Sequence, residues 1–325
     1  MTKAFRFHEI GGPEVLRLED VEIGAPGPGE VRIRHTAIAV NYRDICARTG
    51  LHPVPSFPSG VGSESAGVID AVGPGVAGLA VGDRVACVSR PDGAYAEARI
   101  APAARVVRLP DAIDERIAAA MMVRGMTARY LVRETYPVGA GDVILVHAAA
   151  GGVGAILTQW AKLLGATVIG TVGSDDKAAY ARACGCDHVI VYTREDFVAR
   201  VREITGGAGV PVVYDSVGRT TFEGSLRCLK RRGLMASYGE ASGHPDPVPP
   251  RRLGTLGSIY LTHPSLSDYI AAREDFERNA ADLFAMVATH KIRIDVDRTY
   301  PLEDAPRAHR DLESRAVTGS IVLIP

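Results

Sequence analysis

The residues with the clearest chemical meaning form a short glycine-rich turn at 149–154, with the sequence AAGGVG. Backbone N–H groups at such a turn, together with the positive N-terminus of a following helix, can hold a pyrophosphate. Gly151 would let a phosphate approach the backbone, and Gly154 would let the helix pack closely on the preceding strand. Ala149 takes the place of the usual first glycine. The same small residues suit a tight strand–helix contact without a ligand, but the spacing favours a dinucleotide site.

The elements around this turn have to place it at the edge of a sheet. Asp142–His147 is a short apolar run rich in β-branched residues, which predicts a buried strand. Apolar residues then recur at helical spacing from Val153 to Gly165, where the helix ends. Thr167–Val172 is a second apolar run. The sequence therefore predicts a strand–helix–strand unit with the glycine turn at the start of its helix.

The end of the second strand bears on the choice of cofactor. NAD-specific folds usually place a carboxylate there, which bonds the adenosine ribose. Here the strand is followed by Gly173 and Ser174, and Lys177 comes one helical turn later. A lysine at this position can bind a 2′-phosphate, although it could equally be an ordinary surface charge. Asp175 and Asp176 argue for NAD instead. The pattern as a whole favours NADPH.

Length and composition describe a globular protein of about two domains. The chain has 325 residues, of which 46% are hydrophobic, and a formal net charge of −1, which does not favour a nucleic-acid partner. It lacks a run of about 20 apolar residues for membrane insertion and a signal-peptide core, so we expect a cytoplasmic protein. The five cysteines are scattered and do not suggest a disulfide framework. Cys184, Cys186 and His188 do not support a metal site, because Gly185 is expected to end a helix there.

The order of elements divides the chain into three regions. Residues 1–123 read as short strands between glycine and proline turns, which predicts a compact, partly closed β domain. Residues 124–262 alternate strands and helices, which predicts a parallel sheet covered on both faces. Residues 263–325 carry a helical pattern over Asp268–Thr289 and end in a strand, Ser320–Ile324. This segment is too short for a domain, and we expect it to return to the N-terminal β domain.

Three local assignments complete this prediction. We expect a helix over Asp114–Val123 and a second helix that begins near Thr127. Leu256–Leu261 is expected to be a further strand at the end of the parallel sheet. An edge strand of this kind could pair with a second copy across a two-fold axis.

Several motifs in a fixed order cover essentially the full chain. They are GGPEVL at 11–16, NYRD at 41–44, GSESAG at 62–67, GDRV at 82–85, HAAAGGVG at 147–154, VVYDSVG at 212–218 and LESRAVTGSIVLIP at 312–325. In these motifs the chain resembles the medium-chain dehydrogenase/reductase superfamily, and within it the zinc-independent NADPH:quinone oxidoreductases, which include ζ-crystallin. The resemblance implies an α/β protein with a GroES-like, partly closed β-barrel catalytic domain and a Rossmann doubly wound parallel sheet that binds NADPH. It also implies a homodimer, formed through the strand at Leu256–Leu261.

The resemblance also shows which metal ligands are missing. Zinc-dependent relatives place a cysteine where this chain has Asn41, and a His-Glu pair where it has Ser63 and Glu64. Residues 90–108 contain no cysteine for a structural zinc lobe. Without the thiolate and imidazole, a tetrahedral zinc site lacks ligands. Because zinc activates alcohols and carbonyls, its loss makes alcohol oxidation a poor candidate and favours a quinone, which needs less polarisation.

The resemblance assigns residues to the cofactor. It places Tyr42, Thr127, Ser216, Val217 and Gly239 beside the nicotinamide half, and Tyr192 and Arg315 beside Lys177 at the 2′-phosphate. Tyr42 could instead be a core aromatic, Thr127 a helix cap and Val217-Gly218 a simple turn. The complete set predicted to contact NADPH is Tyr42, Thr127, Ala150, Gly151, Gly152, Val153, Gly173, Ser174, Lys177, Tyr192, Ser216, Val217, Tyr238, Gly239 and Arg315.

The substrate pocket is expected between the domains and is bounded by Asn41, Cys46, His52 and His263. Asn41 is the candidate catalytic residue, in the role of orienting the acceptor or the nicotinamide amide. Similar quinone reductases would have tyrosines at Cys46 and His52 and an arginine at His263. These replacements change the size of the pocket, and the histidines make its charge depend on pH. Each histidine could also be purely structural.

Two other functions fit the same fold. One is NADPH-dependent reduction of α,β-unsaturated aldehydes or ketones, by hydride delivery to the β-carbon. The other is a non-catalytic NADPH-binding structural or RNA-binding role, although the neutral charge does not favour RNA. The leading prediction is an NADPH-dependent, metal-independent quinone reductase.

Overall fold

A computed structural model describes residues 1–90, 92–314 and 317–325. The chain divides into two compact units. The first unit contains Met1–Val123 and Ala272–Pro325, and the second contains Arg124–Ala271. Residues 263–271, which we expected to start the returning segment, therefore belong to the second unit.

The first unit is built mainly from antiparallel strands. Its strands before residue 123 are β1 (Thr2–Phe7), β2 (Arg17–Val21), β3 (Glu30–Val40), β4 (Ser59–Gly60), β5 (Glu64–Val72), β6 (Arg84–Val88), β7 (Ala98–Pro102) and β8 (Val106–Arg108). Strands β2, β1 and β4 form a small sheet in that order. A helix, α1 (Tyr42–Arg48), follows β3, and short 3-10 turns lie at Pro13–Val15 and Ala103–Arg105.

The long strand β3 organises the larger sheet of this unit. Alternate residues such as Val31 and Ile33 are fully buried and pack with Ile69 and Val85 from β5 and β6. This period of two is what a half-buried strand requires. Strand β3 pairs with β5 and β7.

The second unit contains a six-stranded parallel sheet. Its strands are β9 (Val143–Val146), β10 (Thr167–Val172), β11 (His188–Val191), β12 (Val210–Asp215), β13 (Leu229–Ser237) and β14 (Tyr260–Thr262). Their order is β11-β10-β9-β12-β13-β14, with every pairing parallel. This is the doubly wound arrangement predicted from the alternation of elements. It puts the reversal of strand order between β9 and β12.

Helices connect the strands of the second unit. They are α2 (Glu115–Tyr130), which starts in the first unit, α3 (Gly152–Leu163), α4 (Asp175–Ala183), α5 (Phe197–Ile204), α6 (Phe222–Cys228), α7 (Pro250–Thr255) and α8 (Leu266–Tyr269). The apolar side of the sheet, including Leu145, Ile169 and Val213, packs against Phe222 and Leu226 of α6. The alternation predicted for this region is confirmed.

The last segment of the chain belongs to the first unit. It contains α9 (Arg273–Ala288), β15 (Val296–Pro301), a 3-10 turn at Leu302–Asp304, α10 (Ala305–Glu313) and β16 (Ser320–Ile324). Strand β16 pairs antiparallel with β3, with Ile321 opposite Val40. The larger sheet therefore has the order β15-β16-β3-β5-β6-β8, with β7 also on β3.

One expected helix break is absent. We predicted a helix ending at Val123 and another starting near Thr127, but α2 runs without interruption from Glu115 to Tyr130 and continues as a π-helical turn, Leu131–Thr135. Residues on both sides of Gly125, such as Met122 and Met126, are fully buried. Packing therefore outweighs the low helix propensity of that glycine.

Two further assignments are wrong in their boundaries. The expected strand Leu256–Leu261 is only Tyr260–Thr262, because Gly257 and Ser258 adopt left-handed φ angles of 104° and 57° and turn the chain. The expected helix over Asp268–Thr289 is two helices, α8 and α9. They are separated where Ala272 takes an extended conformation. None of the helices in the described ranges is long and apolar enough to cross a membrane.

Candidate active site and nucleotide-binding residues

The glycine turn follows β9 and leads into α3. Gly151 N–H donates to the Ala148 carbonyl at 2.8 Å, and Ala149 N–H donates to the Thr171 carbonyl of β10 at 3.1 Å. A Cβ atom on Gly154 would lie 2.3 Å from the Ala148 oxygen, so only glycine fits there. Among the residues that the structure describes, no side chain caps the N-terminus of this twelve-residue helix. The turn therefore has the form of an anion cradle.

The strained residue of the turn is Ala148, which has a φ of +50°. Our prediction compared Ala149 with the first glycine of the motif, but Ala149 is not the residue in the left-handed region. A left-handed alanine costs about 1–2 kcal/mol relative to the right-handed form. The surrounding turn holds it in place through the Gly151 hydrogen bond.

Arg124 lies against the start of α3. A Cβ atom on Gly152 would be only 2.7 Å from Arg124 Cδ and Nε. Arg124 is buried, so a positive charge lies beside the turn that suits a pyrophosphate. Sequence reasoning missed this residue, because it precedes the turn by more than 20 positions, and only its charge marks it in the sequence.

The residues predicted at the 2′-phosphate meet at the ends of β10 and β11. The Tyr192 hydroxyl would be 2.9 Å from a Cβ on Gly173, so the tyrosine covers that glycine. Ser174 caps α4 and accepts from Lys177 N–H at 3.4 Å. The structure thus brings Gly173, Ser174, Lys177 and Tyr192 together. Arg315 lies outside the described residues.

Asp175, which argued for NAD in the sequence, has a partner. Arg194 donates from Nη1 to Asp175 Oδ2 at 2.9 Å and from Nη2 to Oδ1 at 2.6 Å. Both carboxylate oxygens are therefore engaged by one guanidinium. Sequence reasoning missed Arg194, since the pair joins residues 19 positions apart.

Asp215 shapes the loop that follows β12. It is fully buried, and its Oδ1 accepts from Val217 N–H at 2.8 Å and from Gly218 N–H at 3.1 Å. The hydroxyls of Thr221 and Ser225 also donate to it, at 2.9 and 2.8 Å. The backbone of the predicted nicotinamide loop is therefore held by one carboxylate.

His147 extends this buried network to the end of β9. Its Nδ1 lies 2.8 Å from Thr171 Oγ1, and its Nε2 lies 2.9 Å from Ser225 Oγ. Because Ser225 gives its only proton to Asp215, it must accept from Nε2–H. Burial lowers the pKa of His147, in agreement with a neutral ring. The serine is not poised as a nucleophile, since its proton points to the aspartate and not to the histidine.

Three further residues predicted to contact the cofactor, Ser216, Tyr238 and Gly239, also follow strand ends. A Cβ on Gly239 would be 3.0 Å from the Ser216 carbonyl oxygen, so the turns after β12 and β13 approach closely. Burial holds the pKa of Tyr238 well above its usual value, which keeps its hydroxyl protonated. Thr127 is buried inside α2, so it is not a helix cap.

In the first unit, Asn41 begins helix α1. Asp44 Oδ2 accepts from Asn41 N–H at 2.8 Å, which caps the helix. Asn41 Nδ2 donates to Glu64 Oε1 at 2.6 Å, and Val123 N–H donates to Glu64 Oε2 at 2.6 Å. Glu64 is completely buried, and both of its oxygens accept hydrogen bonds.

This arrangement does not fit a catalytic zinc. Asn41 supplies an amide and Ser63 a hydroxyl, in place of a thiolate and an imidazole. The Glu64 carboxylate is committed to two N–H donors. Within the described residues, there is no group of three His, Cys, Asp or Glu side chains placed to hold a metal ion. We therefore derive no step through zinc.

Asp44 is the most strongly perturbed carboxyl near Asn41. Burial raises its pKa from 3.8 to about 7, with a smaller contribution from Asp92. The Tyr95 hydroxyl donates to Asp44 Oδ2 at 3.0 Å and lies 3.1 Å from His309 Nε2. The start of α1 thus rests on a buried polar network.

The other acceptor-site candidates occupy different environments. Tyr42, the first residue of α1, is half-buried, so it is not a core aromatic. Cys46 is buried in the same helix, and its carbonyl accepts from His52 N–H at 2.9 Å. His52 is half-buried. His263 is exposed and belongs to the second unit.

Comparisons with known proteins agree with this architecture. The family model "Alcohol dehydrogenase GroES-like domain" matches residues 27–111, and "Zinc-binding dehydrogenase" matches residues 152–286. The chain is 47% identical to a quinone oxidoreductase of Pseudomonas aeruginosa over 328 residues, covering both proteins completely. It is 45% identical to a 2-haloacrylate reductase of Burkholderia over 331 residues, covering all of this chain and 99% of the relative.

Among solved structures, the Escherichia coli quinone oxidoreductase complexed with NADPH is similar with a TM-score of 0.98. The two are 47% identical, and the match covers 99% of this chain and 100% of the other. The parallel sheet with its glycine turn, together with a GroES-like unit, defines a medium-chain dehydrogenase/reductase. The chain belongs to the quinone oxidoreductase family of that superfamily.

Proposed function

We propose that the protein transfers reducing equivalents from NADPH to a quinone without a metal. The observation that supports the proposal most directly is the arrangement of residues at the carboxyl edge of the parallel sheet. There the anion cradle after β9 lies next to a corner after β10 that contains Ser174, Lys177 and Tyr192. Ligands of doubly wound sheets bind at this carboxyl edge, beside the reversal of strand order. The names of the relatives support the same activity.

The residues at this edge fit a dinucleotide phosphate. The pyrophosphate would bind at Ala150, Gly151, Gly152 and Val153, where the uncapped N-terminus of α3 supplies N–H donors. Arg124 adds a positive charge at the same place. The absence of a Cβ at Gly151 leaves room for close approach of a phosphate.

The two ends of the cofactor would use different residues. The 2′-phosphate would bind Gly173, Ser174, Lys177 and Tyr192, and Arg315 is proposed there from the resemblance. The nicotinamide half would contact Thr127, Ser216, Val217, Tyr238 and Gly239, and Tyr42 is proposed from the resemblance. Asp215 holds the backbone at Val217 and Gly218, which fixes this loop for the cofactor.

The acceptor is proposed to bind near Asn41, Cys46 and His52, and His263 stays a prediction of the resemblance. NADPH, when bound, supplies the reducing equivalents. The protein has to orient the acceptor, and Asn41 is suited to this because its Nδ2 bond to Glu64 fixes the plane of its amide. A quinone needs no Lewis acid, since its reduction forms an aromatic hydroquinone. Solvent can supply the protons.

A second candidate activity is reduction of activated carbon–carbon double bonds. It is favoured by the 45% identity with a 2-haloacrylate reductase, an enzyme named for an α,β-unsaturated substrate. Steady-state NADPH oxidation with a panel of quinones and enones separates the two. Turnover on quinones supports the first proposal, and turnover on enones alone supports the second. Tight NADPH binding without turnover on either class would support the non-catalytic alternative.

We also propose a homodimer through the edge of the parallel sheet. Strand β14 is the terminal strand, and Tyr260 on it is 58% exposed. An exposed edge strand can pair with its copy across a two-fold axis. The shorter strand moves the proposed contact to Tyr260–Thr262. Sedimentation velocity of Tyr260→Asp and of the parent protein tests it, and an unchanged sedimentation coefficient would contradict it.

The decisive test of cofactor choice compares Lys177→Ala and Tyr192→Phe with the parent. Losing the lysine should weaken NADPH by about 1.5–3 kcal/mol, or about 10- to 150-fold, because a charge-assisted bond to phosphate is lost. The tyrosine variant should lose less, because the tyrosine hydroxyl carries no positive charge to attract the phosphate. NADH affinity should barely change. Equal weakening of both cofactors would show that these residues support the fold or the adenine instead.

A further inference from the structure

We propose that Arg194 determines cofactor specificity, because it neutralises Asp175 beside the proposed 2′-phosphate site. That site, the 2′-phosphate corner, is formed by Gly173, Ser174, Lys177 and Tyr192. This inference rests on the proposed NADPH site. It concerns a residue that is not itself required to contact the cofactor. The structural basis is the contact between the turn after β11 and the start of α4.

The negative charge of Asp175 disfavours NADPH binding in this chain. It is the first residue of α4, next to Ser174 and two positions after Gly173. A carboxylate near the end of this strand accepts hydrogen bonds from ribose hydroxyls and repels a phosphate there. Left alone, Asp175 would therefore favour NADH.

The turn after β11 lies across the turn after β10 through three consecutive residues. Tyr192 covers Gly173, and Thr193 Oγ1 donates to the Gly173 carbonyl at 3.3 Å. Arg194 then reaches Asp175 with two hydrogen bonds, at 2.9 and 2.6 Å. The register of the two turns thus delivers the guanidinium to this carboxylate.

The backbone around Arg194 is held firmly. Its own N–H donates to the Val191 carbonyl at 2.9 Å. Glu195 Oε1 accepts from Val191 N–H at 3.1 Å, and Asp196 caps α5 with a 2.8 Å bond from Val198 N–H. Because the turn is fixed at these points, the guanidinium is placed next to Asp175 with little loss of freedom.

The charges of the corner show why this matters. Among the described residues there, Asp175 and Asp176 contribute −2, and Lys177 and Arg194 contribute +2, so the formal sum of these four is zero. Without Arg194 the sum is −1, and one carboxylate is left to face an incoming phosphate dianion. The pair itself is exposed, with 59% and 72% of the side chains accessible, so it contributes little to folding stability. Its effect should therefore be seen in cofactor choice and not in the melting temperature.

The experiment is a double-mutant cycle on the full-length protein. Dissociation constants for NADPH and NADH are measured by isothermal titration calorimetry for the parent, Arg194→Ala, Asp175→Asn and the double variant. Arg200→Ala is the matched control, because Arg200 is a partly exposed arginine of α5 that pairs with Glu195 and Glu203. Each variant is also melted, to measure any loss of stability.

Arg194→Ala should weaken NADPH by about 3- to 10-fold, since an exposed charge acts through solvent and is screened. The dissociation constant for NADH should change by less than about two-fold, or NADH should bind more tightly. Adding Asp175→Asn should restore NADPH affinity to within about two-fold of the parent, and melting temperatures should stay within about 2 °C. The NADPH loss should shrink at high salt.

Three outcomes would overturn the inference. The first is that the parent prefers NADPH and Arg194→Ala shows the same preference. The second is an equal loss in the Arg200→Ala control, and the third is a double variant that remains as weak as Arg194→Ala. A parent protein without any preference for NADPH would be a different failure, because it would overturn the proposed function together with this inference.

Discussion

The buried network of Asp215, Ser225 and His147 predicts that Ser225→Ala strongly destabilises the second unit. All three side chains have 0% exposure. The substitution removes a hydrogen bond to a charged acceptor at 2.8 Å and leaves His147 Nε2–H without its acceptor at 2.9 Å. A bond to a charged group is worth about 1.5–3 kcal/mol, and an orphaned buried donor costs about 1–3 kcal/mol. Because the two effects are coupled, we expect a loss of about 2–5 kcal/mol in total.

The protein contains a built-in probe for this measurement. Trp160 is its single tryptophan and is buried in α3 of the second unit. Its fluorescence during urea unfolding therefore reports on that unit, and the shift in midpoint gives the loss of stability. Ser267→Ala is the control, because Ser267 is exposed in α8 of the same unit. It should change stability by less than about 0.5 kcal/mol.

The network also predicts that NADPH binding survives the Ser225→Ala substitution. Val217 and Gly218 donate to Oδ1 of Asp215, whereas Ser225 donates to Oδ2. At low temperature, where the Ser225→Ala protein is folded, NADPH affinity should therefore stay within about three-fold of the parent. A loss of stability below about 1 kcal/mol, equal to that of Ser267→Ala, would refute the assignment of these hydrogen bonds.

Three further predictions concern the first unit. Burial raises the pKa of Asp44 to about 7, so its contribution to stability is present at acid pH and is lost as the pH rises through about 7. Between pH 4 and 8, the contribution of Asp44 to the free energy of unfolding should fall by about 4 kcal/mol. Urea unfolding followed by circular dichroism should show that the free energy of unfolding of Asp44→Asn depends less steeply on pH. An unchanged slope would show that Asp44 is not the group that titrates. Asn41→Ala should lower kcat by about ten-fold or more while NADPH affinity changes by less than two-fold, and an unchanged kcat with several quinones would make Asn41 structural. Because Asn41 and Ser63 stand where zinc-dependent relatives place a thiolate and an imidazole, a chelator should not reduce NADPH-linked activity, and elemental analysis should find no stoichiometric zinc. One zinc per chain that is needed for turnover would contradict this.

The local sequence determined the secondary structure around the nucleotide site. Short β-branched runs, helical periodicity and the glycines at 151 and 154 depend on sterics within a few residues, so they predict strand, turn and helix directly. The repeated alternation of strands and helices predicted the parallel sheet, since parallel strands need crossover connections. The resemblance to zinc-dependent relatives showed in addition that Asn41 stands where they place a cysteine ligand.

Local patterns failed where packing or backbone strain decided the outcome. We predicted a helix break between Val123 and Thr127, but buried residues such as Met122 and Met126 keep the helix continuous. Leu256–Leu261 has the composition of a strand, yet left-handed residues at 257 and 258 shorten it to Tyr260–Thr262. These outcomes depend on contacts with other elements, which hydrophobic periodicity does not encode.

Only the tertiary structure decided which charges and polar groups meet. Strand order places residues 147, 171, 215 and 225 in one buried network, although they lie on separate elements. The register of two turns pairs Arg194 with Asp175, and so changes the meaning of an aspartate that, in the sequence, argued for NAD. The network forms because burial withdraws its polar groups from water, so each must find a partner wherever the fold brings one. The exposed Arg194–Asp175 pair depends instead on how the two turns lie against each other.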